Sequence, residues 1–341
     1  MLKINPLSTL YVGIDVSSKS NYVCALDFYK NKYINSSFAN NQPGAEELAL
    51  KILECLKEHP DITTIVAALE STSVYSIHIA NYLSSCEELM RFKPYVFVLN
   101  PKCTANYKKS YIGLGKSDPI DAFVIADYAR AGNIESEPWR GSQFLALKRL
   151  TRHRLHLVEC MTREKTYLVS NLYLKFSELQ MLEGDDQPFC DIYGATSSSV
   201  LMEYFSPEEI LDSSEEDLIA FLAKKSRNRI KDISKTADLL KKAARDSYRL
   251  DKALYEPLNV SIASSFNCIE TFKREIKVID NAIEKEIKGL NPNAFIILQS
   301  IDGIGPVFAG GIIAEIGDIT AFHSSDACLL YTSPSPRDLS T

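Results

Sequence analysis

The chain has 341 residues, 45% of them apolar and 24% charged, with a formal net charge of -6. This is the balance of an ordinary globular protein, long enough for two or three domains, and it excludes a disordered or collagen-like chain. No apolar run approaches the roughly 20 residues of a bilayer span, and the opening residues lack a signal peptide's basic start and apolar middle, so the expectation is a cytoplasmic protein with no membrane partner.

Three β-like runs come first, over residues 10–16, 21–28 and 33–38, rich in Val, Ile, Tyr and Phe and separated by polar turns. A helix is predicted over 44–58, with Leu48, Ile52, Cys55 and Leu56 on one face. A strand over 62–69, a helix over 74–83, a strand over 95–99 and a helix over 118–130 capped by Ser117 follow. Adjacent opening strands favour antiparallel pairing, and the later alternation favours parallel crossovers. The order fits an RNase H-like mixed sheet with helices on its faces, although several α/β folds share it.

The pattern breaks at Pro138, Trp139 and Gly141. Beyond it, Leu147, Leu150, Leu157, Met161, Leu168 and Leu172 form an apolar stripe of helical period that Arg154 interrupts. Ile269, Phe272, Ile276, Ile279, Ile283 and Ile287 form a second, and the two bracket a polar middle over 183–247. Such stripes need a partner helix, and either a bundle core or a dimerising coiled coil provides one. The last segment passes from Asn291-Pro292 through Ile301-Asp302-Gly303-Ile304-Gly305-Pro306 into an apolar stretch. Gly303 and Gly305 either free backbone N–H groups for a phosphate or simply make a tight connection.

The acidic average conceals basic regions. Residues 91–117 carry Arg91, Lys93, Lys102, Lys108, Lys109 and Lys116 and no acid, and Lys148, Arg149, Arg152, His153, Arg154 and His156 cluster soon after. Lysines and arginines in such groups suit a nucleic-acid backbone, which they hold without reading its sequence. Tyr95, Tyr107 and Tyr111 lie among the lysines, placed either to stack on unpaired bases or to face a core.

Four acids stand out against this background. Asp15 interrupts the first apolar strand, Glu70 ends the 62–69 strand, and Asp118 and Asp121 share one face of a helix start. Singly, each has an ordinary explanation in solvent or the helix dipole. Together, at one sheet edge, they would repel unless a cation compensated, and an all-oxygen set suits Mg2+ or Mn2+ acting on a phosphodiester.

Gly115-Lys116-Ser117 is no P-loop, because Ser110 stands where the first glycine belongs. The five histidines show no ligand spacing, and the eight cysteines form no CxxC pair, so reduced and mostly buried thiols are expected.

Gly13-Ile14-Asp15-Val16, Leu69-Glu70-Ser71-Thr72 and Lys116-Ser117-Asp118-Pro119-Ile120-Asp121-Ala122 resemble the acidic motifs of IS110-family transposases. The segment from Ile301 through Glu315-Ile316-Gly317-Asp318 resembles the start of that family's C-terminal transposase domain. The resemblance implies a RuvC-like domain over 1–140, whose Asp15, Glu70, Asp118 and Asp121 bind Mg2+ and carry catalysis. It further implies a coiled-coil connector over 141–290 and a partial C-terminal domain over 291–327. Members are oligomeric DNA recombinases of insertion elements, and in part of the family an element-encoded guide RNA pairs with the DNA. A serine of the C-terminal domain attacks the phosphodiester in such members. Here residues 328–341 read as extraneous sequence, so Ser333, Ser335 and Ser340 are not assigned as that nucleophile and the chain is expected to be truncated and incomplete in activity. The nucleic-acid contacts expected are Lys102, Lys108, Lys109, Lys116, Lys148, Arg149, Arg152, Arg154, Gly303 and Gly305, with a location at the nucleoid. The competing readings are a structure-selective nuclease of the junction-resolvase kind and a non-catalytic nucleic-acid-binding protein. A sugar-kinase-like ATPase lacks its second glycine-rich loop.

Overall fold

A computed structural model of the chain describes residues 4–71, 74–111, 113–134, 138–139 and 141–317. Two compact units emerge, one within residues 1–146 and one over 147–315.

The first unit is built on five strands. β1 (Thr9–Val16), β2 (Ser20–Leu26) and β3 (Lys32–Ala39) form an antiparallel meander, and β4 (Thr64–Glu70) and β5 (Tyr95–Leu99) add in parallel on the other side of β1, giving the order β3-β2-β1-β4-β5. Two serines close the first turn, where Ser17 N–H and hydroxyl both donate to the Ser20 carbonyl at 2.9 and 2.7 Å. Asp27 closes the second by accepting from the Asn31 backbone and side chain at 2.9 and 2.8 Å.

Helices cover both faces of the sheet, which is why its central strands are apolar almost throughout. Leu10, Val12, Ile14 and Val16 of β1 pack into a core with Leu48 and Ile52 of α1 (Gln42–Glu58) and Ile79 and Leu83 of α2 (Tyr75–Ser85). α1 starts where Asn41 accepts from the Gly44 N–H at 3.0 Å, ahead of which Pro43 presets the first turn. The short α3 (Glu87–Met90) precedes β5, and α4 (Pro101–Lys108) follows it. The opposite face, with Tyr11, Val66, Ala68, Phe97 and Leu99, is covered by Ala122, Ile125, Ala126 and Ala129 of α5 (Asp118–Arg130). This is an RNase H-like arrangement. One expectation needs correcting: Ser117 occupies the N-cap of α5 but its hydroxyl makes no cap bond, and its carbonyl instead accepts from Ile120 and Asp121, both at 2.9 Å.

The second unit is helical. It lies between α6 (Ser142–Lys175) and α11 (Lys252–Leu290), with α7 (Ala195–Glu203), α8 (Pro207–Asp212), α9 (Glu215–Ser226) and α10 (Ile233–Asp246) between them in sequence, and α12 (Pro292–Gln299) and α13 (Pro306–Ile316) after them. The polar middle is therefore a folded part of this unit and supplies its core. Val200, Leu201, Ile210, Leu218, Leu222 and Leu240 pack with Leu168 and Leu172 of the first stripe and Ile269 of the second. Lys175 is buried at the end of α6 because three acceptors meet it: the Leu201 and Tyr204 carbonyls at 2.7 and 2.6 Å and Asn259 Oδ1. Burial still pulls its ammonium down to about 8, against the opposing charge of Glu209. Among the described residues, no helix is long and apolar enough to cross a membrane.

Candidate metal centre

Strand parity decides which way the first two acids point. Tyr11, Gly13 and Asp15 alternate onto the α5 face of β1, and Val66, Ala68 and Glu70 do the same on β4. Ile14 pairs with Leu69, so Asp15 and Glu70 follow as the next residues of two neighbouring parallel strands, at the edge where both end.

A glycine brings the other two acids to that edge. A Cβ at Gly13 would stand 2.2 Å from the Ala122 carbonyl oxygen and 2.3 Å from the Ala126 nitrogen, so α5 rests directly on the bare backbone of β1. With alanines facing the sheet, the first turn of α5 delivers Asp118 and Asp121 beside Asp15. The electrostatics record the convergence. The Asp15 carboxyl is raised to about 6, first by burial and then by the charges of Asp121, Asp118 and Glu70, with Lys108 opposing. Asp15, Glu70 and Asp121 are half-buried and Asp118 is exposed.

Helix α4 lies over this group and went unread in the sequence. Its signal is the Asn100-Pro101 pair: Asn100 accepts from the Lys102 N–H at 2.9 Å and proline takes the first turn. Thr104 and Lys108, one turn apart, face the acids. Thr104 donates to Glu70 Oε1, and the Lys108 ammonium pairs with Asp121 Oδ1.

A second buried carboxylate, Asp127, holds this region in place. It is 0% exposed and accepts from Tyr107 at 2.8 Å, Arg130 at 2.6 Å, Lys30 at 3.3 Å and from Tyr111. Burial would raise its pKa, but those donors outweigh it and keep the group below the usual carboxylate range. The tyrosines thereby take the core-facing alternative: Tyr107 packs edge-on against Tyr111 and Tyr128, and Tyr95 is part of the apolar α5 face.

Two features bear on whether the acids fit a divalent ion. The donor set is all oxygen and over-supplied with negative charge, as Mg2+ or Mn2+ requires. Yet among the described residues no three carboxylates stand close enough to hold an ion as they are. Two of the four carboxylates are engaged by α4, Glu70 by Thr104 and Asp121 by Lys108.

The basic residues fall into different situations. Lys109 reaches Asn106 Oδ1 at 3.0 Å, Lys116 is exposed before α5, Lys102 is exposed on α4 and Arg149 is exposed on α6. Other expected contacts are engaged within the helical unit: Lys148 and Arg152 pair with Glu315 at 2.7 and 3.0 Å, and Arg154 pairs with Asp280. Gly303 has φ +88, and a side chain at Gly303 or Gly305 would meet open space. Thr72, Asp318 and the serines of the closing stretch lie outside the described residues.

The sheet order, with acidic residues placed where its parallel strands end, defines an RNase H-like domain. Sequence comparison agrees with that class: residues 12–177 match the DEDD transposase family of IS110 type, and residues 296–340 match the transposase IS116/IS110/IS902 family. The chain belongs to the IS110 family of transposases. The second match runs across most of the stretch whose sequence reads as extraneous. The chain is also 24% identical over 334 residues, 96% of its length and 78% of the relative's, to an uncharacterised 42 kDa protein of insertion element IS900 from Mycobacterium paratuberculosis.

Proposed function

We propose that this chain is the transposase of an insertion element and that Asp15, Glu70, Asp118 and Asp121 hold Mg2+ or Mn2+ at the sheet edge for phosphodiester strand exchange on DNA. The observation that carries this reading is the placement of Asp15 and Glu70 side by side where β1 and β4 end, with the charges of Asp118 and Asp121 near enough to act on Asp15. When bound, divalent ions there would polarise the scissile phosphate and activate the attacking oxygen. The chain's own part is to fix the donors. β1 and β4 present Asp15 and Glu70 from rigid backbone, and the first turn of α5 adds Asp118 and Asp121. Lys102, Lys109 and Lys116 lie on the α4–α5 segment, suited to grip the phosphodiester backbone.

In this reading residues 1–140 carry the metal chemistry, 141–290 assemble subunits of a homo-oligomer, and 291–327 belong to the C-terminal transposase domain. An element-encoded RNA is the guide that selects the DNA. The test is incubation with Mg2+, the element's end DNA and its adjoining transcript, with Asp15→Asn and Asp118→Asn as controls. Metal-dependent joining or a covalent protein–DNA adduct that both variants lose supports strand exchange. Clean hydrolysis of branched DNA without an adduct favours a resolvase-like nuclease, and binding with no reaction in any chain favours a non-catalytic protein.

A further inference from the structure

We propose that Lys108 is a built-in counter-cation of the acidic centre, occupying the place of a divalent ion until one arrives and then swinging out to meet the phosphate. The inference rests on the metal-centre reading above and adds how that centre is kept and loaded.

The side chains carry the argument. Thr104 and Lys108 lie one turn apart on α4, and each is bonded to a different acid, Glu70 and Asp121, from two separate elements of the fold. The ammonium is not a surface group that happens to lie nearby: Lys108 and Asp121 are only 22% and 25% exposed. A lysine with its charge turned into a group of carboxylates offsets their mutual repulsion, so the sheet edge stays assembled before any ion binds. An ammonium and a divalent ion cannot both sit against the same Asp121 oxygen without repelling each other, so the two cations compete for Asp121.

The exchange requires little movement. Helix α4 is anchored independently, through the Tyr107 and Tyr111 hydroxyls on buried Asp127. A lysine head on four flexible carbons can therefore leave Asp121 while the helix that carries it stays put. The displaced ammonium remains tethered at the same edge, where a scissile phosphate held by the metal would present its free oxygens. One side chain thus serves first as substitute cation and then as phosphate contact. Lys108 is a positioning residue in the first role and touches substrate only in the second.

Three measurements on the whole chain test this, none of which needs activity. Calorimetric titration with Mg2+ should show Lys108→Met binding about tenfold more tightly than wild type, because a competing charge is gone. Lys108→Met should also unfold at lower temperature without Mg2+ and recover with it. In wild type, acetylation by acetic anhydride, mapped by mass spectrometry, should increase several-fold at Lys108 when Mg2+ is added and stay constant at Lys51. Unchanged or weaker Mg2+ affinity in Lys108→Met, or labelling of Lys108 that Mg2+ leaves unaltered, overturns the proposal even if the centre binds metal. Equal Mg2+ binding by wild type and Asp15→Asn would instead overturn the metal-centre reading itself. The labelling arm uses only wild-type protein, so it decides the matter even if the variant does not fold.

Discussion

The two units treat charge in opposite ways. In the helical unit, several charges are paired: Arg154 with Asp280, and Lys148 and Arg152 with Glu315. In the sheet unit Asp127 is matched in the same way, by Arg130, Lys30 and two tyrosines. The edge group is not: Asp15, Glu70, Asp118 and Asp121 face each other, with Lys108 as their opposing cation. Matched charges hold a shape, whereas mismatched ones are a cost that folding alone does not explain. That contrast is what singles out the acidic edge as the candidate site.

The contrast can be broken in graded steps. Gly13→Ala should have the largest effect, a loss of about 3 kcal/mol or more in urea unfolding, because its Cβ meets α5 backbone that cannot yield. Gly305→Ala, in the helical unit and facing open space, should stay within about 0.5 kcal/mol. Asp127→Asn should cost roughly 3 kcal/mol, since it removes the charge that largely buried Arg130 and the more exposed Lys30 share at a fully buried position.

Lys175 gives a pH signature. Between about pH 8 and 10.5 the folded chain has released this proton while the unfolded chain still binds it, so stability should rise with pH across that window. Lys175→Met should lack that rise, which is on the order of 1–2 kcal/mol by the difference between the two chains' urea midpoints.

Asp15→Asn should act in the opposite sense to Asp127→Asn. By removing a charge that burial and then its acidic neighbours disfavour, it should stabilise the metal-free chain by roughly 1 kcal/mol after allowing for solvent screening, while abolishing the Mg2+-dependent reaction. A loss of stability from Asp15→Asn would show that the edge group is matched after all. The smallest effect belongs to Arg154→Ala with Asp280→Ala, whose double-mutant coupling should be about 1 kcal/mol or less for a partly exposed pair.

The strands and the four acids were legible because each broke a strong pattern. Alternating apolar runs marked β1 and β4, and a carboxylate within or ending such a run draws notice. Helix α4 was missed because its apolar content is slight, although the Asn100-Pro101 start was there to read. The pairings of Lys108 with Asp121, and of Tyr107 and Tyr111 with Asp127, link α4 and the residues just after it to α5, and no local periodicity encodes them. The helices of the polar middle were hidden for a different reason. Most are short and bury only a few residues, such as Val200 and Leu201 or Leu218 and Leu222, and the longer α10 buries mainly small ones around Leu240, so none shows a stripe of large apolar residues. They become a core only collectively.

Gly13 has one more consequence. Because the strand meets main-chain atoms of the helix there, the gauge between the two elements is set by peptide geometry rather than by any side chain's bulk. Apolar residues on both faces of the sheet can be exchanged over time without retuning that gauge. The tolerances of the acidic edge are thereby uncoupled from drift in the interior that supports it.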